Sequence, residues 1–104
     1  MQDWHLYLIR TRNRALYAGI TTDVRRRFEE HCGSDGKGAK YLRASRPLEL
    51  VYQAKIGDRV LALKAEHSLK RLSKVKKERI VSEKPEREAL LDLLGLQYEG
   101  HSQP

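Results

Sequence analysis

The sequence predicts an α+β domain: a small three-stranded antiparallel sheet flanked by helices. Two short apolar runs rich in Tyr, Leu and Ile, Trp4 to Arg10 and Ala15 to Thr21, flank the polar tetrapeptide Thr11-Arg12-Asn13-Arg14, which is the pattern of a hairpin. A third strand-like run, Leu48 to Ala54, follows Pro47, and residues with helical spacing fill much of the remainder. No internal repeat and no linker interrupts the 104 residues, a length that suits one domain.

Each element carries its own signal. In the first turn Asn13 is the residue best able to take a left-handed conformation. Thr22 or Asp23 caps a helix running to about His31, with Val24 and Phe28 as core anchors one turn apart. Gly33-Ser34-Asp35-Gly36-Lys37-Gly38 is rich in glycine but has no lysine-serine/threonine pair after a second glycine, so it reads as a basic loop and not a nucleotide cradle. The third strand stops near Gly57, and Asp58 caps a helix from Arg59 to Leu72 whose stripe is Ala62, Ala65, Leu69 and Leu72. Ser73 caps a short basic helix, Lys74 to Val81. Pro85 begins a last helix, with Gly95 beyond its end and Leu90, Leu91, Leu93 and Leu94 as its apolar surface. Residues 98–104 read as a frayed tail. The expected organisation is therefore a main unit at 1–81 and a C-terminal helix and tail at 82–104, packed on or extending the same domain.

The net charge of +7 is uneven. Nineteen Lys and Arg face nine Asp and Glu before residue 81, and two face five after it. A basic body with an acidic tail points to a polyanion, most simply nucleic acid. The single cysteine, Cys32, excludes an internal disulfide, and no zinc-type spacing accompanies it. No leader-type run follows Met1, and no apolar stretch approaches the ~20 residues of a membrane span, so a soluble cytoplasmic protein with no membrane role is expected.

Several side chains could carry chemistry. Arg27 and His31 are four residues apart and share one helix face. A guanidinium forks across two phosphate oxygens better than an ammonium does. His31 could equally be a C-terminal histidine favoured by the helix dipole. Glu66 sits among Ala62, Ala65 and Leu69, where a carboxylate needs a partner. That partner is either a salt bridge to Arg59, Lys64 or Lys70, or a hard cation such as Mg²⁺. Tyr7 and Tyr17 would ordinarily be core aromatics. Lys37, Lys40, Arg43 and Arg46, interleaved with Tyr41, make one basic stretch, and Lys70, Arg71, Lys74, Lys76 and Lys77 make another. Arg25 and Arg26 read as a solvated basic face. Arg25, Lys37, Lys40, Arg43, Lys70 and Lys74 are the expected nucleic-acid contacts, positioning a backbone without reading sequence.

Taken together, His5-Leu6-Tyr7, Tyr17-Ala18-Gly19, Arg27, His31 and Glu66 resemble the GIY-YIG endonucleases, and in particular their small stand-alone bacterial YhbQ-like (UPF0213) group. The resemblance covers about residues 3–80. It implies a site in which Tyr7, Tyr17, Arg27, His31 and Glu66 are catalytic. Tyr7 would receive the proton of the attacking water, Tyr17 would orient water or phosphate, Arg27 would bind the scissile phosphate, and Glu66 would hold one Mg²⁺ or Mn²⁺ ion. The implied activity is metal-dependent hydrolysis of phosphodiesters in DNA, structure-selective or weakly specific, with a role in repair or recombination and a recruiting protein as a further partner. Larger relatives carry an asparagine after the glutamate helix, whereas Asn13 is the only asparagine here. That departure favours an alternative, a non-catalytic module binding DNA or RNA. A third reading makes the leucine-rich segment from Pro85 onward an interaction surface.

Overall fold

A computed structural model describes residues 2–33, 42 and 46–96. The central strand β1 (Trp4–Arg10) is flanked by β2 (Leu16–Thr21) and β3 (Glu49–Gly57), both antiparallel to it. Four helices are present among the described residues: α1 (Val24–Cys32), α2 (Arg59–Lys70), α3 (Lys74–Glu83) and α4 (Arg87–Leu93). This is the predicted α+β architecture.

The two faces of the sheet bury different sets of side chains, because successive strand residues point to opposite sides. Leu6, Leu8, Ala18 and Tyr52 join Ala62, Ala65 and Leu69 of α2, Ile80 of α3, and Leu90 and Leu91 of α4 in the larger core. Tyr7 and Ile9 pack on the other side with Val24 of α1 and Leu42, and Tyr17 and Phe28 lie against them. The sheet is thus covered on both faces, and Leu6 through Ile9 are all buried.

The predicted caps operate. The side chains of Asp23, Asp58 and Ser73 accept from the backbone N–H groups of Arg26, Leu61 and Lys76. Some boundaries move. The Arg59 helix ends at Lys70, and the last helix starts at Arg87, two residues after Pro85. Pro85 instead offers its carbonyl to the Tyr52 hydroxyl at 2.6 Å. Leu93 is exposed and does not join the apolar surface of its helix. Leu90, Leu91 and Leu94 are in the main core, which removes them from the interaction surface expected beyond Pro85. The expected boundary at residue 81 falls inside α3. In the first turn Arg14, not Asn13, is left-handed, with φ 67°. Asn13 instead accepts a hydrogen bond from the Thr11 hydroxyl at 2.6 Å, and the Arg14 N–H closes the turn onto the Thr11 carbonyl. Such a turn places its αL residue after the type I pair, and that position here is Arg14.

Strand β3 lies at the sheet edge and carries two irregularities. Val51 and Ile56 are skipped in the register with β1. Their carbonyls accept from Lys84 Nζ (2.9 Å) and Arg87 Nε (2.6 Å), so cationic side chains from the α3–α4 corner cover the bulged edge. No described helix is long and apolar enough to cross a membrane.

At the far end of β1, Arg10 donates two hydrogen bonds to Glu78 of α3, at 2.6 and 2.7 Å. These bonds, with help from Lys74, hold the Glu78 carboxyl down at about 2. A depressed carboxylate stabilises the fold above its unfolded pKa and loses that contribution as pH falls through the folded value. Stability is therefore expected to drop between the ordinary value of 4.5 and about 2. Glu78→Gln is expected to be less stable near neutrality and to lose less on acidification, which urea midpoints measured across that range would check.

Candidate active site

The site is built around the hydroxyl of Tyr7. In the register of the sheet Tyr7 faces Gly19 on β2 and Gln53 on β3. The phenol lies directly over Gly19, so a Cβ there would land on the Tyr7 ring and hydroxyl. Glycine is required at that position for space.

Above the same face runs α1. Thr21 accepts the Asp23 N–H at 3.1 Å and Asp23 caps the helix, which turns the chain directly from β2 into α1. Val24 is buried and Phe28 half-buried, as anchors, and one turn after Arg27 the helix delivers His31, which is wholly buried. His31 Nε2 lies 3.0 Å from the Tyr7 hydroxyl. Tyr17 meets the same imidazole edge-on, with ring centroids 5.7 Å apart.

The electrostatics fix the protonation of this group. Burial, then the neighbouring Tyr17, pushes the Tyr7 phenol up to about 12, while Arg27 works in the opposite direction. Burial, then Arg27, lowers His31 below its ordinary value. Tyr7 is thus a neutral phenol and His31 a neutral imidazole near pH 7. A charged, dipole-stabilising histidine is therefore not the role of His31, because a wholly buried ring beside a guanidinium disfavours the imidazolium.

Arg27 is half-buried, lies near enough to the Tyr7 phenol for its charge to lower that group, and donates to Glu30 at 2.8 Å. Glu30 was not singled out from the sequence; its spacing of three residues from Arg27 is the signal that could have found it. Glu66, on α2 at the opposite face, is still close enough for its charge to raise the Tyr7 phenol. Its carboxylate is 20% exposed and pairs with Lys70 at 3.2 Å, the third of the partners the sequence allowed. The structure thus brings Tyr7, Tyr17, Arg27, His31 and Glu66 into one electrostatic neighbourhood.

The expected nucleic-acid contacts fare differently. Arg25 is exposed, and Lys70 is exposed but paired with Glu66. Lys74 is a structural bridge, donating to the Arg14 carbonyl at 2.5 Å and pairing with Glu78 at 3.0 Å. Lys37, Lys40, Tyr41 and Arg43 lie outside the described residues.

Comparison with known proteins identifies the family. Residues 3–79 match the family described as the GIY-YIG catalytic domain. The chain belongs to the GIY-YIG family. It is 53% identical over 94 residues to the UPF0213 protein YhbQ of Salmonella typhimurium, covering 90% of this chain and 92% of the relative. It is 55% identical over 83 residues to UPF0213 protein YhbQ of Escherichia coli, covering 80% and 81% of the two chains. The solution structure of the UPF0213 protein BH0048 from Bacillus halodurans superposes with a TM-score of 0.52 at 33% identity, over 92% of this chain and all of that one. Family membership makes this a nuclease-type domain with nucleic acid as its substrate class.

Two outcomes test the site's construction. Gly19→Ala is expected to destabilise the fold by about 1–3 kcal/mol, the range for overpacking a filled core, because backbone and phenol cannot both stay in place; a urea titration beside wild type measures it. The lowered His31 pKa means that the unfolded chain binds a proton more readily than the fold does. Stability is then complete above the ordinary value of 6.5 and falls as pH drops below it. His31→Gln is expected to remove that slope, read from urea midpoints between about pH 7.5 and 5.5.

Proposed function

We propose that this chain is a metal-dependent endonuclease that hydrolyses phosphodiester bonds in DNA, structure-selective or weakly specific, in repair or recombination. The observation that supports it best is the gathering of the Tyr7 hydroxyl, the Tyr17 ring, the His31 imidazole and the Arg27 guanidinium on one face of the sheet, within reach of the Glu66 charge from the other. Hydrolysis needs a proton acceptor for water and cationic groups for the phosphoryl oxygens. Tyr7 accepts the proton of the attacking water as its own passes to the neutral imidazole of His31 at Nε2. Arg27 supplies a forked donor to the phosphate, and Tyr17 orients the water or phosphate beside it.

Glu66 would hold the metal. Among the described residues no group of three or more His, Cys, Asp or Glu is gathered. A lone, partly exposed carboxylate suits Mg²⁺ or Mn²⁺, a hard ion completed by water and substrate oxygens. Such an ion, when bound, supplies Lewis-acid neutralisation of phosphoryl charge. The protein would be cytoplasmic, with DNA its main partner and a recruiting protein a second.

The binding-module alternative also has an observation in its favour: Arg27 and Glu66 are each held by an ion pair, with Glu30 and Lys70. End-labelled single-stranded, duplex, nicked, flap and four-way-junction DNA, with Mg²⁺, Mn²⁺ or EDTA, separates the two. The nuclease predicts metal-dependent products that fall about a hundredfold or more in Glu66→Ala, Arg27→Ala and Tyr7→Phe while binding persists. Salt-sensitive binding without product from wild type would establish the module instead.

A further inference from the structure

The turn between β1 and β2 carries a residue its backbone disfavours. Arg14 adopts φ 67°, a conformation that glycine and asparagine take most readily. Asn13 stands next to it but spends its side chain on Thr11. Arg12 and Arg14 are both exposed, and no ion pair or hydrogen bond engages either guanidinium among the described residues. Other cations in this part of the chain are neutralised: Arg10 by Glu78, and Lys74 by Glu78 and the Arg14 carbonyl.

The turn is also braced by hydrogen bonds. The Thr11 N–H reaches the Ala15 carbonyl at 3.0 Å, and the Ala15 N–H reaches the Thr11 hydroxyl at 3.2 Å. Lys74 and the doubly bonded Arg10–Glu78 pair fasten the turn and the adjoining end of β1 to α3. Two guanidiniums without a partner among the described residues are thus carried on a braced turn. They lie in the turn that follows the strand carrying Tyr7, and at about 3.3 Å per residue Arg10, the end of that strand, lies about 10 Å and the turn about 15 Å from Tyr7. A duplex advances about 3.4 Å per base pair, so the same span covers about four to five base pairs.

We propose that the β1–β2 turn is a second phosphate-binding element, in which Arg12 and Arg14 grip the backbone of duplex DNA about four to five base pairs from the phosphate held at Tyr7 and Arg27. The placement rests on the proposed function, which seats a phosphate at that site. The turn supplies affinity and orientation without sequence readout.

Binding is read in EDTA, by fluorescence anisotropy, with fluorescein-labelled DNA stem-loops whose stems are about 4 or about 12 base pairs. On the long stem, Arg12→Gln/Arg14→Gly is expected to bind about tenfold or more weakly at low salt, with a log–log salt slope about two units shallower than wild type. On the short stem the two proteins should match. Arg12→Lys/Arg14→Lys should keep the wild-type slope, because the charge remains. Arg14→Gly alone should melt no lower than wild type, since glycine takes this conformation freely. Equal slopes for wild type and the neutral variant on the long stem would overturn the assignment, as would loss of slope in the double-lysine variant. If wild type cuts nothing with Mg²⁺ yet the slope difference stands, the nuclease reading fails and the turn's role survives.

Discussion

The Tyr7 hydroxyl is the atom on which the rest of the structure depends. Its ring can lie across β2 only because Gly19 has no side chain. Its oxygen can be buried only because His31 stands 3.0 Å away to meet it. That one contact links the central strand to α1, and with it to the Asp23 cap and the arginines that the helix carries. Burying a phenol against a neutral imidazole gives a hydrogen-bonded pair that places no charge in the core. Arg27 works against this neutrality at the phenol, where its positive charge favours a phenolate, and Glu30 works against it at the imidazole, where its negative charge favours an imidazolium.

A second theme is compensation of charge. The body of the chain is strongly basic, yet cations at key junctions are matched: Arg27 by Glu30, Lys70 by Glu66, and Arg10 and Lys74 together by Glu78. Exposed pairs of this kind add little stability. Arg10 is the exception, with its fork well buried and both donors used. The matched cations hold elements together, while the arginines at the first turn, unmatched among the described residues, are the ones proposed to meet a polyanion. The same economy appears at the sheet edge, where Lys84 and Arg87 bond the carbonyls of Val51 and Ile56 and leave the bulged strand a poor template for another chain.

Much of the fold was legible in the sequence. The three strands follow from short apolar runs, and Asp23, Asp58 and Ser73 each cap the helix they precede, because capping is a local contact between neighbours. The misplacements have one local cause and two that are not. Asn13 has the better left-handed propensity, but its carbonyl oxygen is more useful as acceptor for Thr11, and the αL position of this turn falls one residue later. Pro85 suits a first helical turn, yet its carbonyl is taken by Tyr52, a partner 33 residues away that no local pattern shows. Leu93 has the same chemistry as Leu94, and only the packing of α4 decides which of them is covered.

By itself the sequence determined the strands, the caps, the charge asymmetry and the set of residue types at the site, since each depends on composition or on spacing along one element. Tertiary structure decided what those residues are. The wholly buried position of His31 makes it a neutral partner of Tyr7 and not a helix-end cation, and the pairing of β1 with β2 turns Gly19 into the floor beneath a phenol. Glu66 reaches the electrostatic field of Tyr7 from a helix on the other face of the sheet. Burial and proximity across elements set protonation, and neither is encoded in the spacing of residues along the chain.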